Sequence, residues 1–175
     1  RMSVKAPRGL THSRKLLRPE EWIARVEGGL RCLGDKLGLF LVQLPPGLPY
    51  DHDRLAGFLD RMPRWIRTSV EFRHPSWNRE ETFELLERHR AAYCVMSGAH
   101  LPCVLRATAP FVYVRLHGPD PDHLYGGSYS EEDLRWWAGR IREWEAQGRE
   151  VWAYFNNDWE GHAVRNAERL LEILG

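Results

Sequence analysis

The chain has 175 residues, of which 43% are apolar and 28% charged. That is enough for one domain with a sizeable core, and too apolar for a disordered segment. A net charge of +1 removes any global electrostatic argument for nucleic acid or an acidic membrane as partner. No apolar run approaches the ~18 residues of a membrane helix. Cys32, Cys94 and Cys103 are odd in number and lack C-x-x-C spacing, which excludes a disulfide framework and a zinc ribbon. Cys32 and Cys94 lie in apolar surroundings and are expected in the core, reduced, as in a cytoplasmic protein.

Ser3 to Ala6 reads as the end of a strand, closed by Pro7 and Gly9. A helix follows from about Pro19 to Leu33, with Pro19 at its first position, Glu20 and Glu21 at the positive end of the dipole, and Trp22, Val26, Leu30 and Leu33 as its apolar stripe. Leu37 to Leu44 is a nearly continuous apolar run, the pattern of a strand buried on both faces of a parallel sheet. Asp51 caps a short helix with Leu55, Phe58, Leu59 and Met62 inward.

In the stretch Ser69–Trp77, Val70 and Phe72 alternate with Glu71 and Arg73, so one face of the strand is apolar and the other charged. His74 and Pro75 stop it. A helix near Glu80 to Arg90, a short strand at Ala92 to Ser97 and an irregular connection from Gly98 to Pro110 come next. Phe111 to Gly118 is a strand that ends in Arg115 and His117. After a polar loop, Ser130-Glu131-Glu132-Asp133 resembles a capping box, and Leu134, Trp137, Ile141 and Trp144 share a helix face. Val151 to Asn157 is the last strand, and Trp159 to Leu174 the last helix, with Asp158 as its N-cap.

Strand and helix alternate, which implies a parallel sheet. Both a doubly wound sheet and a (β/α) barrel satisfy that pattern, and the barrel requires eight strands where six are counted. Along the chain, polar residues fall at the C-terminal strand ends: Lys5, Gln43, Glu71 with Arg73, Arg115 with His117, and Asn156. In a barrel such ends converge on the face where these folds place their sites. A polar, net-positive pocket is therefore expected there, with His74 and Trp77 at its rim. Lys5, Arg73 and Arg115 suit a phosphate, carboxylate or sulfate. Glu71 and His117 suit general acid or base work. The bland alternative is a structural ion-pair layer around Glu71 and Arg73, with a His117 bonded to backbone. No H-E-x-x-H, Walker loop, G-x-S-x-G or G-x-G-x-x-G occurs, so neither a metal nor a cofactor is implied.

Five stretches resemble the YecE-like proteins, the family called domain of unknown function 72. They are Lys5-Ala6-Pro7-Arg8 with Thr11-His12; Gln43-Leu44-Pro45-Pro46; Glu71-Phe72-Arg73-His74-Pro75-Ser76-Trp77; Arg115-Leu116-His117-Gly118; and Tyr154-Phe155-Asn156-Asn157-Asp158 with Gly161, Ala163, Asn166 and Ala167. The resemblance implies a TIM-barrel-like α/β fold with the motif residues at the barrel's C-terminal face, and it implies no particular reaction. It also implies two further βα units before Arg1, roughly 60 residues on an eight-unit barrel. On that reading residues 1–175 are a single YecE-like barrel domain, N-terminally incomplete, with about six of eight units. Open strand edges would then expose apolar surface and favour self-association.

The function expected is binding of a small anionic or sugar-like molecule, with acid–base catalysis by Glu71 and His117 and with Lys5, Gln43, Arg73, His74, Trp77, Arg115 and Asn156 as ligand-binding residues. A metal-dependent barrel hydrolase or nuclease, using Glu71, His117 and Asp158, is one alternative. A non-catalytic protein that holds a ligand or nucleic acid on the same face is the other.

Overall fold

A computed structural model describes residues 1–123 and 125–175. Six strands and five α-helices follow the order β1 (Met2–Lys5), α1 (Glu20–Arg31), β2 (Leu37–Gln43), α2 (His52–Arg61), β3 (Thr68–Glu71), α3 (Glu80–Arg88), β4 (Ala92–Ser97), β5 (Phe111–Leu116), α4 (Glu131–Ala146), β6 (Glu150–Phe155) and α5 (His162–Leu174). All strand pairings are parallel, and the strands neighbour one another in sequence order. The fold is therefore α/β and TIM-barrel-like, with six strands of the eight that a complete barrel has. The β4–β5 connection, residues 98–110, contains neither helix nor strand, as its Gly and Pro content predicts.

Two compact units divide the chain, Arg1–Tyr93 and Cys94–Gly175, with the boundary inside β4. In the first, β2 and β3 are almost wholly buried, while β1 is half-exposed and, among the described residues, pairs with β2 alone. Leu39, Phe40, Val42, Val70, Leu55, Phe58, Leu85 and Leu86 make its dry interior. In the second, β5 is buried at every residue, and β6, which among the described residues pairs with β5 alone, is half-exposed along most of its length.

Local signals set the helix starts. The Asp51 carboxylate accepts the Arg54 N–H at 3.1 Å and starts α2. Ser130 and Asp133 form the expected reciprocal capping box of α4. Arg90, at φ +54, turns the chain out of α3 two residues after its last helical residue.

Three expectations are corrected. On α1 the buried residues are Ile23 and Leu30, whereas Val26 and Leu33 are only half-buried. The half-buried Trp22 lies over Gly9, where a Cβ would stand 2.2 Å from the ring. Cys32 is exposed at the C-terminus of α1, where its thiol donates to the Gly28 carbonyl, while Cys94 is buried as expected. Asp158 does not cap α5 with its side chain, because a short turn at Trp159–Gly161 intervenes and the helix begins after Gly161 at φ +72. No helix among the described residues is long and apolar enough to cross a membrane.

Candidate functional site

In the first unit the strand register does the assembly. Gln43 at the end of β2 lies beside Glu71 at the end of β3, and Lys5 at the end of β1 lies beside Leu41. Side chains alternate along a strand, so Lys5, Gln43 and Glu71 share one face of the sheet. Glu71 is completely buried, and its carboxylate accepts from Arg73 Nε, whose side chain is 10% exposed. Arg73 lies two residues beyond Glu71, just past the strand end, which keeps the guanidinium on the carboxylate's side. A dry ion pair of this kind is costly to form and costly to break.

His74 bonds within the turn that follows the pair. Its Nδ1 accepts the Ser76 N–H at 3.2 Å and starts the short turn Pro75–Trp77, and the Ser76 Oγ stands 2.8 Å from the same nitrogen. That leaves Nε2 to carry the neutral ring's proton. Trp77 departs from the expected rim position. It is 1% exposed, donates its indole N–H to the Leu48 carbonyl at 2.8 Å and stacks on Phe72 at 4.7 Å. It supports the corner from beneath, since an aromatic flanked by Phe72 and Tyr50 gains more from burial than from display.

In the second unit Arg115 and Asn156 share a face, because Arg115 on β5 lies beside Tyr154 on β6. Arg115 Nε donates to Asn156 Oδ1 at 3.0 Å. One residue pair earlier on that face, Tyr113 stacks on Tyr154 at 5.1 Å. His117 is fully buried, its N–H donates to the Ser97 carbonyl at 2.7 Å, and its ring lies 5.4 Å from that of Tyr125. Gly118 follows at φ +101, and a Cβ there would stand 2.1 Å from the Gly126 carbonyl oxygen. The glycine after His117 is thus required by backbone approach.

Sequence reasoning singled out neither Tyr129 nor the pair Asn157 and Asn166 as site residues, yet they hold the loop after β5. Tyr129 Oη donates to Ser97 Oγ at 3.1 Å and accepts the Gly118 N–H at 3.1 Å. Burial pushes the Tyr129 phenol above its ordinary pKa, which keeps the proton needed for that donation. Asn166 Oδ1 accepts from the Tyr129 N–H and from Asn157 Nδ2, and Asn157 Nδ2 also donates to the Gly127 carbonyl. The available signal was the pair of asparagines among the motif stretches, nine residues apart, whose amides meet only once β6 and α5 pack.

At the start of the first unit, Thr11 and His12 were quoted in a motif but assigned no role. His12 is held below its ordinary pKa by burial, then by the positive charges of Arg8 and Lys5. Its Nδ1 lies 2.8 Å from Thr11 Oγ1.

Comparison with known proteins agrees with the motifs. The family described as protein of unknown function DUF72 matches residues 1–175. YunF of Bacillus subtilis (strain 168), a UPF0759 protein, is 27% identical over 80% of this chain, which spans 58% of that relative's length. A DUF72 family protein of Thermotoga maritima MSB8 superposes with a TM-score of 0.89 at 27% identity, covering 98% of this chain and 72% of that one. A DUF72 family protein of Enterococcus faecalis V583 has the same fold, at TM-score 0.84 and 18% identity, covering 99% of this chain and 74% of that one. The chain belongs to the DUF72 family.

Proposed function

We propose that the C-terminal strand ends of each unit bind a small anionic or sugar-like molecule, with acid–base chemistry at Glu71 in the first unit and at His117 in the second. The observation that carries this reading is the wholly buried Glu71 carboxylate against Arg73 at the end of β3. A buried ion pair adds little net stability over apolar packing, so its presence at a strand end fits a role in ligand binding better than one in stability. Lys5, Gln43, Arg73 and His74 are the ligand-binding residues of the first unit, and Arg115 and Asn156 those of the second, with Trp77 as a buried support. Cys32, Cys94 and Cys103 form no disulfide, which fits a reducing cytoplasm. The half-exposed edges of β1 and β6 are where a second copy would pair.

The test is a thermal-shift screen of phosphates, sugars and divalent metals on the whole chain, followed by Glu71→Gln, Arg115→Ala and His117→Ala. At least one hit should bind about tenfold more weakly to a variant, the loss expected when a charged hydrogen bond is removed. A hit that binds all three variants as well as the wild type refutes the reading.

A further inference from the structure

Two loops of the first unit are tied together beyond the ends of β2 and β3. The Trp77 indole N–H donates to the Leu48 carbonyl at 2.8 Å, and the Tyr50 N–H donates to Ser76 Oγ at 2.7 Å. Ser76 sits in the short turn Pro75–Trp77, which the buried Trp77 anchors. Ser76 itself and His74 are half-buried. The Ser76 hydroxyl is therefore held in one place and stays within reach of a small molecule.

Hydrogen-bond accounting fixes where its proton points. The Ser76 N–H is a donor only, and it donates to His74 Nδ1 at 3.2 Å, so that nitrogen carries a lone pair. Ser76 Oγ stands 2.8 Å from the same nitrogen while it accepts the Tyr50 N–H. Its single hydrogen therefore points at Nδ1, in the shorter of that nitrogen's two contacts. A serine hydroxyl donating to a neutral imidazole, with a third group fixing the imidazole, is the arrangement that activates a serine nucleophile. Beside it, Arg79 Nε donates to the Ser76 carbonyl at 2.8 Å, and the guanidinium lies 4.3 Å over the Tyr50 ring. Those contacts occupy Nε and the flat face, and they leave the Nη groups of this exposed side chain for an anion.

We propose that Ser76 is a nucleophile with His74 as its general base, and that the pair cleaves carboxylic esters bearing a second, negatively charged group held by Arg79. In the first half-reaction Ser76 Oγ bonds to the acyl carbon and its proton passes to His74 Nδ1. The ester C–O bond breaks, and the leaving alkoxide takes that proton away as the alcohol. In the second, water bonds to the acyl carbon and gives a proton to Nδ1. The acyl–Oγ bond breaks, and Oγ recovers that proton as the carboxylic acid leaves. While Nδ1 is protonated the Ser76 N–H gives up its acceptor, and it is then a backbone donor on the residue where negative charge develops. This activity needs none of Glu71, Arg115 and His117; it shares with the proposed function only His74 and the anionic character of the ligand.

The probe is a fluorophosphonate, which forms a stable adduct with an activated serine, applied to the whole chain and located by peptide mass mapping. One adduct is expected, at Ser76. His74→Asn is the decisive variant, because asparagine caps a turn as His74 does but is no base. It should keep the melting temperature and slow labelling at least about 100-fold, the lower end of general-base effects. Two para-nitrophenyl esters, the neutral acetate and the anionic succinate, then read the substrate class. The wild type should release nitrophenolate in a burst, and Arg79→Ala should raise KM about tenfold for the succinate and leave it unchanged for the acetate. No adduct, an adduct at another residue, or labelling of His74→Asn at the wild-type rate overturns the nucleophile and leaves Ser76 as a tie between two loops. An equal effect of Arg79→Ala on both esters overturns the anionic class. Mapping on the wild-type protein decides the matter even where a variant fails to fold. If Ser76 is labelled while every screening hit ignores Glu71→Gln, Arg115→Ala and His117→Ala, the wider function falls and the nucleophile stands. Hits that respond to those variants with Ser76 unlabelled give the reverse.

Discussion

Each unit holds an arginine at a strand end, and the two make side-chain contacts of different kinds. Arg73 meets the carboxylate of Glu71, two residues away on the same segment. Arg115 meets the amide of Asn156, 41 residues away and just past the end of the next strand. The first contact is charge on charge and local, so the alternation of a single strand almost suffices to make it. The second is charge on a neutral dipole and exists only when β5 and β6 are in register. A charged pair out of water gains more attraction and suffers more when one member is lost; an amide acceptor asks less of its surroundings.

The largest expected effect tests that difference directly. Glu71→Gln should cost about 3–5 kcal/mol in denaturant unfolding, because it leaves Arg73 buried without its carboxylate. Asn156→Ala should cost about 1.5–3 kcal/mol, the range for a hydrogen bond to a charged group. Equal costs would mean that the ion pair and the amide are energetically alike, and the comparison would lose its content.

Glycines after the strands sharpen it next. Gly118→Ala combines an unfavourable positive φ with a clash against the backbone of Gly126, each worth about 1–3 kcal/mol. Gly9→Ala meets only the half-buried Trp22 side chain, which can shift, so the overpacking contribution of about 1–3 kcal/mol stands alone. Thermal unfolding should rank Gly118→Ala as the more damaging; the reverse order would show that the loop after β5 yields more easily than α1.

The smallest effect is on the surface of the second unit. Arg169 forks onto Glu131 at 2.7 and 2.8 Å, joining α5 to α4. Those hydrogen bonds and the guanidinium charge lower the Glu131 pKa from 4.5 to about 2. A carboxylate lowered on folding stabilises fully above its unfolded pKa and loses that contribution as pH falls through the folded one. The difference in melting temperature between wild type and Glu131→Gln should therefore be full above pH 4.5 and fade towards pH 2. It should also shrink in salt, since the pair is exposed. A difference that is constant over this range would assign it to packing instead.

Much of this was legible in the chain. The runs at Leu37–Gln43 and Phe111–Leu116 became buried parallel strands because continuous apolar sequence has no solvent face to offer. Asp51 and Ser130 capped helices because capping needs only neighbours within a turn. An ion-pair layer joining Glu71 and Arg73 to neighbouring strands was weighed, whereas the direct contact between the two was not foreseen. Cys32 misled, since its apolar neighbours Leu30 and Leu33 said nothing of which side of α1 the thiol would take. Trp77 misled as well, because a motif position next to charge does not reveal that Leu48 waits to receive its indole N–H.

What the sequence alone determined was the order of elements, the parallel sheet, and the placing of polar residues at strand ends, all consequences of periodicities within a few residues. Tertiary structure alone decided which of those residues are joined. Asn156 to Arg115, Asn166 to Tyr129, and Gly118 under Gly126 span 41, 37 and 8 residues. Such contacts depend on strand register and loop closure, and neither leaves a periodic trace in the residues that make them.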